Sequence, residues 1–143
     1  MDKKIIITIP HYNNPVGLIN TISSINDSIK IDIVITDDGS EIKLDEHQVR
    51  SKYNNKGNIH FIYLDKNYGV GIAANKCLEY VKNKSYKYVA RLDAGDISYK
   101  NKFSKQIEFL EKNNQIMLVG TWARVLDNEG NLLFYIKHPT DHN

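Results

Sequence analysis

The stretch "IDIVITDDGS", Ile31 to Ser40, sets a run of β-branched residues directly against two aspartates, a glycine and a serine. A run with no polar alternation is expected for a strand covered on both faces, which is the habit of parallel sheets. The turn that follows suits an Asx-type turn, with Gly39 at positive φ and Ser40 capping the next segment. Outward from here the pattern recurs. "KKIIITI" (Lys3 to Ile9) runs into "PHYNN", "IHFIYL" (Ile59 to Leu64) into "DKNYGVG", and "YKYVARL" (Tyr86 to Leu92) into "DAGD". Helical spacing separates these strands. Leu18, Ile22, Ile25 and Ile29 follow a Pro15-Val16-Gly17 opening, and a weaker helix covers Asp45 to Tyr53. Asn67 to Asn83 becomes helical with Ala73, Cys77 and Val81 on one face; Phe103, Ile107 and Leu110 mark a fourth helix. "IMLVGTWARVLD" and "NLLFYIKH" flank the turn "DNEG" (Asp127 to Gly130), as a hairpin would.

Strands alternating with helices imply an α/β fold: a mostly parallel sheet flanked by helices, with the C-terminal antiparallel hairpin as its edge. Ligands of such sheets sit beyond the carboxyl ends of the strands. Four polar loops from distant parts of the chain are therefore expected on one rim. At 143 residues a single domain spanning 1–143 is expected. A hydrophobic fraction of 41% and a charged fraction of 25% are those of a soluble globular protein. Net charge is +2 with scattered lysines, which points away from a nucleic-acid surface. No apolar run is long enough for a transmembrane segment. "MDKKIIITIPHY" is broken by Pro10 and lacks a cleavage site, so no signal peptide is read, and a single cysteine, Cys77, forms no internal disulfide. The expected compartment is the cytosol.

Asp93 and Asp96 bracket Ala94-Gly95, and paired carboxylates repel unless a positive group stands between them or water takes both. Plainer readings stay open for each loop. The glycines of "NYGVG" suit loop punctuation, since G-x-G without a third glycine is a poor dinucleotide fingerprint. Asp93 and Asp96 could cap the helix that starts near Asn101. His11 and His138 lack the spacing of a metal pair and read as loop residues, while Tyr12 and Trp122 read as packing residues.

Together, "IIITIPHYNN", "IVITDDGS", "NYGVGIAANKCL" and "YVARLDAGDI" resemble, in order, the motifs of the family 2 glycosyltransferases with the GT-A (Rossmann-like) fold. "MLVGTWARVLDNEGN" resembles the strand and hairpin after that family's DXD loop. The resemblance implies that Pro10 and Tyr12 frame a nucleotide base and that Asp38 accepts the N3–H of uracil. It puts Asn67 and the backbone from Gly69 to Gly71 along the ribose and diphosphate. Asp93 matches the first Asp of an R-x-D-A-D-D run, and Asp93 with Asp96 would hold Mn²⁺ or Mg²⁺. Gly95 stands where a metal-ligating Asp is expected, so metal binding should be weakened; Gly95→Asp would restore it unless Gly95 needs positive φ.

The implied function is that of a donor domain binding a nucleotide-diphosphate sugar, a UDP-sugar by preference, for inverting transfer in glycan or polysaccharide biosynthesis. No catalytic residue is identified. The family's base comes from a later acceptor-binding segment, and Glu108, Glu111 and Asp127 fall on a helix face or a turn. The expectation is a donor half: a truncated chain, a split gene or a degenerate remnant. Expected partners are the nucleotide-sugar donor, a glycan or lipid-linked acceptor, and a second copy through the hairpin Trp122 to Ile136, with a peripheral place at the inner face of a bacterial membrane. Two alternatives stand beside this reading. One is a catalytically incomplete nucleotide-sugar-binding module. The other is an unrelated doubly wound regulatory domain using Asp37 and Asp38, disfavoured because its acidic pair should follow the first strand.

Overall fold

A computed structural model describes residues 5–140. The chain divides into two compact units, one up to Ile107 and one from Glu108 onward. In the first, β1 (Ile5–His11), α1 (Pro15–Ser24), β2 (Asp32–Asp37), α2 (Glu46–Ser51), β3 (Ile59–Tyr63), α3 (Val70–Lys82), β4 (Tyr88–Arg91) and the start of α4 (Lys102–Lys112) follow in order. The four strands form one parallel sheet in the order β3-β2-β1-β4. The two central strands are buried at every position, which is why they read as unbroken apolar runs. β3 and β4 are edges and expose part of each face. The expected start of β1 at Lys3 lies outside the described residues.

Alternate residues of β1 and β2 serve two cores. Ile5, Ile7, Ile9, Ile33 and Ile35 pack with Leu18 and Ile22 of α1, Val49 of α2 and Phe103 of α4. Ile6 and Val34 pack with Cys77 and Val81 of α3. Pro10 is tolerated in a central strand because of its position. Thr8 gives its carbonyl to Leu92 N–H on the β4 side, and Thr8 is also the last residue of β1 in register with β4. Residues two apart point the same way, so the donor that Pro10 lacks would have faced a ladder that has already ended.

Helix ends follow the polar residues around them. Asn14 caps α1 by accepting from Gly17 N–H (3.0 Å), with Pro15 in the first turn, and Asp45 caps α2 through Gln48 N–H (3.0 Å). α1 is shorter than its apolar spacing predicts. Ile25 takes an extended conformation (φ −73°, ψ 91°), so Ile25 and Ile29 reach the core from the loop. α4 is capped neither by Asp93 nor by Asp96. Asp27 Oδ2 accepts from Phe103 N–H (3.0 Å) and Ser104 N–H (3.2 Å) instead.

At the amino end of the sheet, buried Asp32 accepts from Asn58 N–H and from the Tyr86 hydroxyl, each at 2.8 Å. Tyr53 donates to Ile31 O. Burial, then the nearby carboxylates, push both phenols above the usual tyrosine value.

The second unit holds β5 (Ala123–Leu126) and β6 (Leu132–Ile136), an antiparallel pair closed by Asp127. Its carboxylate accepts from the Asn131 side-chain amide and from Asn131 and Glu129 N–H, bonds that hold it below the usual range, and Gly130 takes φ +87°. The hairpin forms its own two-stranded sheet, so the expectation that it edges the parallel sheet is not met among the described residues. Nor does "IMLVGTW" extend β5. Among the described residues no strand pairs with it; it is irregular, and Met117 and Leu118 are 90% and 87% exposed.

The folded chain holds the Tyr53 and Tyr86 protons more tightly than an unfolded chain would, so their contribution is intact below the unfolded value of ~10 and is lost as pH rises through the folded values. Urea midpoints measured from pH 8 to 11.5 should fall above pH 10. Tyr86→Phe should lower stability at pH 8 by about 1–2 kcal/mol, since it leaves one oxygen of Asp32 unpaired, and should show a shallower alkaline loss. Parallel pH curves for the two proteins would contradict this.

Candidate functional site

The register of β1 and β2 puts His11 opposite Asp37 at the carboxyl edge of the sheet. Both side chains are buried, and His11 Nδ1 lies 2.8 Å from Asp37 Oδ2. The Asn14 backbone N–H donates to His11 Nε2 (3.2 Å). That nitrogen is therefore the acceptor, and Nδ1 carries the proton given to Asp37. The other Asp37 oxygen takes Ser40 N–H (2.8 Å), closing the Asx-type turn expected at "DDGS", with Gly39 at φ +67°. Ser40 Oγ accepts from Asn13 N–H, and Asn13 Oδ1 accepts from Glu41 N–H. Asn13 itself sits at φ +48°. The first two loops are thus joined by side chains. His11 is the last residue of a strand and buried, not the ordinary loop residue its isolation in sequence implies.

Asp38 turns to the third loop. Its Oδ1 accepts Tyr68 N–H (2.9 Å) and its Oδ2 accepts Gly69 N–H (2.8 Å), which leads into α3 at φ +95°. Gly39 fits against the same loop: a Cβ there would lie 2.2–2.6 Å from the backbone of Lys66. Asn67 lies exposed between these anchors, and Tyr12 is 45% exposed just beyond Pro10 and His11.

The fourth loop is tied to α1. Asn14 Nδ2 reaches Ala94 O at 3.4 Å; Thr21, fully buried, donates to Asp96 O (2.8 Å) and accepts from Gly95 N–H (2.9 Å). Asp93 Oδ1 accepts from Arg91 Nε at 2.9 Å. Burial lowers the Lys102 ammonium from its ordinary value, and the Asp96 carboxylate pulls the other way. The four strand-end loops carrying Pro10, Tyr12, Asp38, Asn67, Gly69, Asp93 and Asp96 are bonded to one another or to α1, along one edge.

The sequence profile described as "Glycosyl transferase family 2" matches residues 6–139, nearly the whole chain. The protein belongs to glycosyltransferase family 2. The uncharacterised glycosyltransferase MJ1057 of Methanocaldococcus jannaschii is 31% identical over 139 residues, 93% of this chain and 46% of that protein. The chain thus spans about half the length of that relative. Among solved structures, S. aureus TarS 1–349 in complex with UDP aligns with a TM-score of 0.65 at 25% identity, over 78% of this chain and 33% of that one. The same TarS chain in complex with UDP-GlcNAc aligns with a TM-score of 0.65 at 23% identity.

Among the described residues no group of three His, Cys, Asp or Glu side chains could hold an ion by itself. Asp93 and Asp96 supply hard oxygen donors, the kind that Mg²⁺ and Mn²⁺ take together with phosphate oxygens and water. Gly95 takes φ +109°, a conformation that strains any side chain, so Gly95→Asp would cost stability rather than supply a ligand. A cleft of about 300 Å³ opens on the other side of "DDGS", lined by Asp37, Gly39 and Ser40 of that loop together with Lys43, Leu44, Tyr63 and Asp65. Pro10, Tyr12, Asp38 and Asn67 do not line it. Burial, aided by a hydrogen bond to Glu46, pushes the Tyr63 phenol there up to about 12.

Three residues of this edge escape sequence reasoning: His11, Asn13 and Thr21. Only Thr21 leaves a trace, as a polar side chain beside Leu18, Ile22 and Ile25 on a helix face that is otherwise apolar.

Gly39→Ala should lower stability by about 1–3 kcal/mol, because both the positive φ and the Lys66 backbone oppose a Cβ. Urea denaturation checks this, and an unchanged midpoint would show that the second and third loops are not packed as described.

Proposed function

We propose that residues 1–143 are the donor-binding domain of a glycosyltransferase, holding a nucleoside diphosphate sugar, by preference a UDP-sugar, at the carboxyl edge of the parallel sheet. The observation that carries this reading is the linkage of the strand-end loops through His11–Asp37, Asp38 with Tyr68 and Gly69, and Thr21 with "DAGD". Preorganised polar groups on rigid supports are what a diphosphate site requires. The UDP complex of TarS supports the choice of nucleotide.

In this reading Pro10 and Tyr12 flank the base. Asp38 keeps lone pairs beyond those taken by Tyr68 and Gly69, and one accepts the uracil N3–H. Base recognition would then be coupled to the third loop, since a single carboxylate holds both. Asn67 and Gly69 lie along the ribose and diphosphate. Asp93 and Asp96 would share a Mn²⁺ or Mg²⁺ with the phosphates, and that ion would offset the negative charge developing on the leaving diphosphate. Arg91 and Lys102 would add fixed positive charge beside the same turn. Inverting transfer to a glycan or lipid-linked acceptor is carried over from the family. It needs a base within about 2.6–3.2 Å of the acceptor hydroxyl, and we assign none among the described residues. Placement in the cytosol, at the inner face of a bacterial membrane, and self-association through the exposed hairpin remain parts of the proposal.

Calorimetric titration with UDP, with and without Mn²⁺, tests the reading. UDP and Mn²⁺ should each tighten the other by the same factor, with little Mn²⁺ bound in the absence of UDP. Asp38→Asn should weaken UDP binding by about 1.5–3 kcal/mol, through loss of a charge-assisted bond and disturbance of the third loop. A folded Asp38→Asn variant with unchanged UDP affinity would sink the assignment of Asp38.

A further inference from the structure

We propose that Thr21 is a positioning residue for the "DAGD" turn: its hydroxyl, reaching up from α1, sets where the Asp93 and Asp96 carboxylates meet a bound diphosphate. The inference rests on the donor-site reading above. Thr21 is fully buried, and its oxygen both accepts from Gly95 N–H (2.9 Å) and donates to Asp96 O (2.8 Å). The turn is closed by Asp96 N–H to Asp93 O (3.1 Å), and the one hydroxyl braces it from both sides of the glycine that sits at φ +109°. A longer contact runs from the same oxygen to Asp93 O (3.5 Å).

The neighbouring residues of α1 continue the attachment. Asn14, its cap, reaches Ala94 O, and Ser24 Oγ accepts from Ser98 N–H (2.9 Å) while donating to Thr21 O (2.7 Å). Beyond the helix, Asn26 O accepts from Asn101 N–H (2.8 Å). The backbone from Ala94 to Asn101 is therefore laid along α1 by polar groups, with Thr21 at the turn itself. Gly95, Asp93 and Asp96 are exposed, and besides these bonds the turn is held by its own Asp96 N–H to Asp93 O bond (3.1 Å) and by Ala94 against the core. An isosteric valine would leave the Gly95 donor and the Asp96 acceptor without partners. A serine would keep both bonds.

Amide hydrogen exchange and UDP titration in Mn²⁺, on the wild-type chain, Thr21→Val and Thr21→Ser, test this. Exposed Gly95 should exchange at least about tenfold more slowly than an unprotected amide, in keeping with one retained hydrogen bond. Fast Gly95 exchange in the wild-type chain overturns the proposal without any variant. Thr21→Val should release that amide and weaken UDP binding by about tenfold while β1 and β2 amides keep their protection, and Thr21→Ser should restore both. A valine variant that binds UDP like wild type overturns the proposal, as does a serine variant no better than valine. If valine prevents folding, wild-type exchange and the serine variant decide. A wild-type chain that binds no UDP removes the donor-site reading instead, and Gly95 exchange still shows whether Thr21 holds the turn.

Discussion

The carboxyl edge of this sheet depends on one buried contact, His11 to Asp37. Parallel strands end with their loops side by side, but backbone pairing alone does not fix the paths those loops take. Here the imidazole donates to Asp37 from one nitrogen and accepts Asn14 N–H at the other, while Asp37 holds Ser40 N–H. Both side chains lie out of water, where a carboxylate left without its donor costs about 1–3 kcal/mol. Asn13 and Ser40 follow from it, and Asp38, one residue on, is aimed at the third loop. A polar rim on a parallel sheet needs such fixing, because loops that fluctuate cannot present a constant set of donors and acceptors to a diphosphate.

The paired aspartates of "DAGD" find a local answer to their repulsion. Arg91 lies against Asp93. The Arg91 pair is half exposed, so its role is orientation more than stability. Gly95 shapes the turn through its positive φ, and Thr21 braces it from below.

Much of the fold was legible because β1 and β2 lie at the centre of the sheet, where burial on both faces makes the sequence uniformly apolar. β4 was legible through its motif more than its pattern, since Val89 is 48% exposed. Loop positions were legible because Gly39, Gly69 and Gly95 do mark positive φ. What the sequence withholds are pairings over long separations. His11 and Asp37 are 26 residues apart, Thr21 and Gly95 are 74, and Asp27 and Phe103 are 76. No local pattern announces them. "IMLVGTW" misleads for the opposite reason: its strand propensity is real, but propensity needs a partner edge before it becomes a strand.

The central claim is that the strand-end loops form one nucleotide site. Mapping amide chemical shifts during a UDP titration in Mn²⁺ tests it most directly. The account predicts shifts concentrated at Tyr12, Asp38 and Gly39, Tyr68 to Gly71, and Asp93 to Asp96, saturating with a single affinity. Shifts centred on Lys43, Leu44 and Tyr63 around the neighbouring cleft, or on the hairpin, would contradict it.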